Sequence, residues 1–176
     1  MTFEQVLPRR LVRWVAAEPD WEQVYTEQLP RVLNFFRYRL GDTSDVEDLT
    51  ARTFEKAWRS RHRYRRDVAG FATWLLTIAR NVAIDHLRAR QFHEPLDVAA
   101  IVPALDETPE QRAIQESDAQ RLAALLASLP PRQRELIAMK YGADMTNRAI
   151  ARATGLSESN VGTILHRAVE ELRGRW

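Results

Sequence analysis

The sequence predicts an all-α protein: two small helical bundles joined by an acidic linker, with a helix-turn-helix in the C-terminal bundle. Three observations carry this. Six glycines and eight prolines are few for 176 residues, and the long segments between them are rich in Ala, Leu, Arg and Glu, the strong helix formers. Charge is uneven, with net −2 over residues 1–30, +6 over 31–93, −6 over 94–118 and +4 over 119–176, so two basic blocks flank one acidic stretch. The segment NRAIARATGLSESNVGTILHRA, Asn147 to Ala168, holds two short helical patterns parted by a glycine.

Composition bounds the function classes. A hydrophobic content of 45% argues for packed cores rather than wholesale disorder. No run approaches the roughly 18 apolar residues that cross a bilayer, and the early run LVRWVAA is interrupted by Arg13. Arg9-Arg10 is followed by neither an apolar core nor a small-residue cleavage site, so a cytoplasmic location is expected. The absence of cysteine excludes disulfides, thiolate metal sites and a thiol redox switch. Two basic blocks suggest two anion-binding units, joined by a stretch that does not bind the same anion.

The elements follow in order. Residues 1–20 remain an unassigned N-terminal extension. WEQVYTEQLPRVLNFFRYRL is helical in period, with a break or kink expected near Pro30. The next helix starts near Ser44, whose side chain is placed to cap it while Asp45, Glu47 and Asp48 suit the positive end of its dipole, and it ends near Arg59. SRHRYRRDVAG reads as a loop. FATWLLTIARNVAIDHLRAR follows as a helix, with Phe71, Trp74, Leu75, Ile78 and Val82 on one apolar stripe and Thr77, Asn81, Asp85 and Arg88 elsewhere on its surface.

Residues 94–109 contain Pro95, Pro103 and Pro109, scattered acids and no sustained helical period, so the boundary between units lies there. The organisation expected is therefore 1–20 extension, 21–93 first unit, 94–118 acidic linker with the start of the next helix, and 119–176 second unit. Pro109 opens a helix to about Ser128; LPPRQRELIAMKYG forms another, with Pro131 in its first turn and Gly142 at its end.

In the segment from Asn147, the small Ala151 falls fifth, Gly155 ninth and Val161 fifteenth, with Ile150, Leu156 and Ile164 as apolar contacts. This is the helix-turn-helix pattern: a small residue lets the helices approach, and glycine takes the positive φ of the turn. Ser157 is placed to cap the second helix. That helix fits the major groove of duplex DNA, with Ser159, Asn160, Thr163 and His166 on one polar face and Arg148 and Arg167 in reach of phosphates. Asn160 is the candidate for a base contact, because an amide both donates to and accepts from adenine. The alternative is a helical hairpin buried in a larger assembly.

The first basic unit sets aromatic residues beside threonine, asparagine and arginine after an Arg-rich loop, a combination that suits single-stranded nucleic acid. Trp74, at helical spacing from Phe71 and Ile78, also fits a core position.

Three blocks together, DVEDLTARTFEKAW, FATWLLTIARNVAIDHLR, and LPPRQRELIAMKYG followed by the helix-turn-helix, resemble in order and spacing a bacterial extracytoplasmic-function sigma factor of the sigma-70 family, which keeps conserved regions 2 and 4. The resemblance covers most of the chain from about Trp21 onward. It implies a specificity subunit that joins core RNA polymerase, recognises two promoter elements and helps open the duplex. By similarity, Asp45, Glu47, Asp48, Thr53, Phe54 and Trp58 are polymerase-contact candidates, although Ala51-Arg52 stands where the family usually shows Gln followed by an acid. Asn81 matches a position that helps separate strands at the −10 element. Trp74, Thr77, Asp85 and Arg88 lie on the same helix, and Tyr64, Arg65 and Arg66 in or beside the loop that shapes a pocket for an extruded base. Arg148, Ser157, Ser159, Asn160, Thr163, His166 and Arg167 fall on the unit that reads the −35 element, where Gly162 replaces a frequent Lys or Arg. The family further implies an anti-sigma factor as partner and an acidic linker occupying basic surfaces of the polymerase.

The competing reading is a stand-alone helix-turn-helix regulator that binds duplex DNA without polymerase. An enzyme is not expected: His62, His86, His93 and His166 form no recognisable metal spacing, no phosphate-cradling glycine loop is present, and no cofactor is called for.

Overall fold

A computed structural model describes residues 21–41, 43–66, 68–91 and 109–176, with side chains for all of these except 91 and 109–117. The expected linker residues 94–108 and the extension 1–20 lie outside it. The described residues form seven α-helices and no strand: α1 Trp21–Leu40, α2 Asp45–Arg59, α3 Phe71–Gln91, α4 Pro109–Ser128, α5 Pro131–Ile137, α6 Asn147–Thr154 and α7 Glu158–Arg175. A short 3-10 turn, Arg61–Arg63, sits in the Arg-rich loop, and a π-turn, Ala138–Gly142, continues α5.

Local chemistry explains several of these boundaries. Pro131 takes the first position of α5, where its missing N–H would have had no helical partner. Thr146 caps α6 by accepting from the Ala149 N–H at 3.2 Å, and Ser157 caps α7 by accepting from the Asn160 N–H at 3.2 Å. Between them Gly155 adopts φ 76°, and its N–H closes on the Ala151 carbonyl. The helix-turn-helix geometry expected from the sequence is thus present.

Other expectations are corrected. α1 runs unbroken through Pro30. Pro30 and Thr26 both face solvent, where water can take the carbonyl that the missing N–H leaves free. Ser44 precedes α2 but does not cap it through its side chain, because its backbone is already helical at φ −54° and ψ −21°, whereas a capping side chain needs an extended backbone. LPPRQRELIAMKYG is not one regular helix, since its second half opens into the π-turn. On α3 the buried stripe is Leu75, Leu76, Ala79, Val82 and Ala83, while Phe71, Trp74 and Ile78 are only half-buried.

The two bundles pack against each other. Val32, Phe35 and Phe36 of α1, Val46 and Leu49 of α2, and Leu75, Leu76 and Val82 of α3 belong to the same buried cluster as Leu136, Ile137 and Met139 around the π-turn and Ile150, Val161 and Leu165 of the helix-turn-helix. Helix α1 lies along the π-turn so closely that a Cβ on Gly142 would stand 2.8 Å from the Asn34 carbonyl oxygen.

Gly155→Val should destabilise the C-terminal bundle by about 1–2 kcal/mol, because a β-branched residue is strained at positive φ. Thermal melting followed by circular dichroism checks this, with Gly174→Val, in the exposed last turn of α7, as the comparison.

Candidate nucleic-acid interface

The C-terminal surface is built on α7. Val161, Leu165 and Ala168 are buried on its inner face, and that anchoring turns Ser159, Asn160, Thr163, His166 and Arg167 outward, all exposed. Asn160 gives its backbone N–H to the cap while its side-chain amide takes no partner among the described residues, so the amide is free for a base edge. Thr163 donates its hydroxyl back to the Ser159 carbonyl at 3.1 Å. Arg148 is exposed on α6. Half-buried Gly162 stands near Asn147, with room for a Cβ at 3.7 Å from the Asn147 amide nitrogen.

The N-terminal surface is built on α3 and the loop before it. Asn81, Asp85 and Arg88 are exposed at helical spacing; Thr77 is half-buried and donates to the Thr73 carbonyl. Asp85 lies 3.7 Å from Lys56 of α2. Tyr64, Phe71 and Trp74 form a triad of rings with centroids 5.3–5.4 Å apart. Trp74 is therefore neither wholly core nor a free platform: it is a half-buried ring held at the rim by two others. Arg65 and Arg66 are exposed beside it.

On α2 the polymerase-contact candidates divide. Glu47, Asp48 and Trp58 face solvent. Thr53 is fully buried with its hydroxyl donated to the Leu49 carbonyl, and Phe54 is buried against Tyr25, so these two candidates serve the core and offer no contact surface. The reason is the helical period, which places both on the inner face with Leu49, Thr50 and Ala57. Sequence reasoning passed over Arg61, whose guanidinium lies 4.2 Å from the Trp58 ring centroid, and Trp21, which packs edge-on to Trp58 and Phe71. The spacing of Trp21 and Tyr25, one helical turn apart, was the available signal.

Asp45 is half-buried, 3.4 Å from His86 of α3. Burial holds the His86 pKa below its ordinary 6.5, assisted by Arg90 and Arg52; Asp45 opposes the shift without reversing it. Among the described residues no group of three or more His, Cys, Asp and Glu side chains gathers as a metal site requires.

Sequence comparison gives this arrangement a family. Residues 24–93 match the model of sigma-70 region 2, and residues 119–172 that of sigma-70 region 4. The chain belongs to the extracytoplasmic-function sigma factors of the sigma-70 family. It is 30% identical over 166 residues to the extracytoplasmic-function sigma factor RpoE of Cereibacter sphaeroides, covering 93% of this chain and 90% of that protein. To the sigma factor BldN of Streptomyces coelicolor it is 28% identical over 160 residues, covering 89% of this chain and 61% of the longer relative. A similar fold is seen in the sigma factor RpoE of Bartonella quintana, solved with the anti-sigma factor NepR, at a TM-score of 0.73 and 24% identity, covering 89% of this chain and 96% of that one. Most of α1 with α2 and α3 thus lies in the region 2 match, and the second half of α4 with α5, α6 and most of α7 in the region 4 match of this sigma factor.

Because the unfolded chain binds a proton at His86 more readily than the folded one, stability is complete above pH 6.5 and falls as the pH drops below it. His86→Leu should flatten this loss. Urea midpoints at pH 7.5 and 5.5 check it, the difference between the two being smaller in the variant than in the wild type.

Proposed function

We propose that this sigma factor reads a promoter at two places, α7 entering the major groove at the −35 element while α3 and the loop before it hold the unpaired −10 strand. The observation that carries the reading is a capped, outward-facing α7 whose polar stripe is spent on almost none of the fold's own hydrogen bonds, in a chain matching sigma regions 2 and 4 in order. In the groove, Asn160 pairs with an adenine edge, Ser159, Thr163 and His166 line the same face, and Arg148 and Arg167 take phosphates. Ser157 supports the reading helix as its cap.

At the −10 element Asn81 engages a base as it leaves the stack, with Thr77, Asp85 and Arg88 along the same helix. Extrusion costs a few kcal/mol of stacking. A rim made of Tyr64, Trp74, Arg65 and Arg66 returns part of that through ring stacking and phosphate contacts. Asp45, Glu47, Asp48 and Trp58 form the surface offered to core polymerase. The acidic residues 94–118 fit basic channels of the enzyme. An anti-sigma factor is the expected partner, as NepR is for the Bartonella protein. No helix among the described residues is long and apolar enough to cross a membrane, and a cytoplasmic site of action fits this role.

The test is run-off transcription together with electrophoretic shifts using core polymerase. The proposal expects polymerase-dependent, promoter-specific initiation; tight duplex binding with no polymerase requirement would favour a stand-alone regulator instead. Asn160→Ala should cost about 1–3 kcal/mol at one −35 position and little elsewhere. Arg167→Ala should weaken all promoters and reduce the slope of log affinity against log salt by about one. Asn81→Ala should leave polymerase binding intact while lowering permanganate reactivity of the −10 thymines, and wild-type reactivity would remove Asn81 from the melting step.

A further inference from the structure

Two rungs of aromatic rings cross from α1 to α2. Trp21 packs edge-on to Trp58 with ring centroids 5.1 Å apart, and Tyr25, one turn further along α1, lies 4.7 Å from Phe54, one turn earlier on α2. Phe71 of α3 closes one end, 5.7 Å from Trp21. Phe54 is buried, yet Tyr25 keeps 47% of its surface exposed and Trp58 46%, even with Arg61 stacked on the Trp58 ring. Five large apolar side chains stand exposed among the described residues, and this one groove holds two of them. Exposed rings gathered on one face are the composition of a protein contact rather than of open surface. The Trp21 indole N–H adds to this: it is buried without a hydrogen-bond partner among the described residues, and a buried donor is seldom left unpaired.

The chain carries a matching segment beside the groove. Residues 1–20, outside the described residues, join α1 at Trp21, one of the rings that form it. Within them Leu7, Leu11, Trp14 and Val15 recur at spacings of three and four, and Arg9 and Arg13 fall on the opposite side of that period. Pro8 suits a first helical turn, while Pro19-Asp20 are residue types that end one helix and cap the next, so the apolar stripe is free to turn back instead of prolonging α1. Val15 stands six residues before Trp21, within about 20 Å of it even at full extension. A tether this short sets an effective concentration of order millimolar, so a weak contact suffices to fill the groove.

We propose that residues 7–15 dock as an amphipathic helix on the groove of Trp21, Tyr25 and Trp58, with Leu7, Leu11, Trp14 and Val15 against the rings. Arg9 and Arg13 then face solvent. Because Trp58 also belongs to the surface offered to core polymerase, the docked segment competes with polymerase there, a consequence that rests on that reading. Only the undocked fraction of the chain presents Trp58, so docking lowers apparent affinity by that fraction.

The test is the rate of tryptic cleavage after Arg13 in the free full-length chain, since a docked helix is cut only when it opens. Leu11→Ser and Trp58→Ala should each raise that rate at least about tenfold, whereas Val68→Ala, which removes an exposed apolar side chain elsewhere, should leave it unchanged. The double variant should be cut no faster than either single one, because both substitutions break the same contact. Rates equal to wild type in both single variants overturn the docking, as do effects that multiply in the double variant. Protection that grows with protein concentration would assign the groove to a second copy and overturn it too. Should Trp58→Ala fail to fold by circular dichroism, Leu11→Ser, which lies outside the bundles' described core, decides. Leu11→Ser should also bind core polymerase about threefold more tightly. Faster cleavage with no gain in polymerase affinity would uphold the docking and count against the Trp58 polymerase contact alone.

Discussion

Helix α1 has to satisfy two neighbours at once. One side packs with α2 and α3 to complete the N-terminal bundle, and the other lies on the π-turn of the C-terminal bundle, with the Asn34 carbonyl above Gly142. Backbones approach this closely only where a side chain is missing, so the glycine is required by its neighbour rather than by its own turn. The π-turn widens the chain at that point, and Arg31 caps the exit from it by taking the Ala143 and Asp144 carbonyls. Asp144 has φ 50° there, a backbone position that Asp tolerates better than most residues. Contacts of α3 with α6 and the Arg80–Glu135 ion pair join the two bundles as well.

The same junction revises what the basic composition means. The +6 of residues 31–93 and the +4 of 119–176 suggest two cationic faces, yet a few of those charges point inward. Arg39 is buried, Arg80 is mostly so, and Arg134 donates to the Ala127 and Leu129 carbonyls at the end of α4. Burial lowers the Arg134 pKa for the same reason. Among the cations that stay exposed are Arg65, Arg66 and Arg88 on one side and Arg148 and Arg167 on the other. Charge counted along a chain gives the sign of a partner; only burial separates the cations that meet it from those that hold the fold.

That distinction also marks how far the sequence was legible. The helix-turn-helix could be read because its determinants are local: Gly155 sets the turn, Ser157 caps from two residues beyond it, and Val161 lies one turn further on. The start of α5 at Pro131 and the span of α4 from Pro109 to Ser128 were readable for similar reasons. Ser44 misled because a capping residue type says nothing of its own backbone angles, which here continue the helix. Thr53 and Phe54 misled because a family position does not state which face of the helix is covered. The junction between the bundles was out of reach entirely, since Arg31 and Ala143 are 112 residues apart and no periodicity links Arg80 to Glu135.

Each candidate surface is built mainly within its own bundle. The inner face of α7 rests on α5 and α6 of its own bundle, through Val161, Leu165 and Ala168, and its cap lies within its own first turn. The triad of Tyr64, Phe71 and Trp74 is likewise confined to the loop and α3, and α2 is tied to α3 through the Asp45–His86 and Lys56–Asp85 contacts. The contacts between the bundles therefore fix how two finished surfaces lie relative to each other rather than the shape of either. Those contacts are apolar as well as charged: Val32, Phe35 and Phe36 of α1 share one buried cluster with Leu136, Ile137 and Met139, beside the buried Arg39 and Glu135. Relative placement is thus set between the bundles and local shape within them.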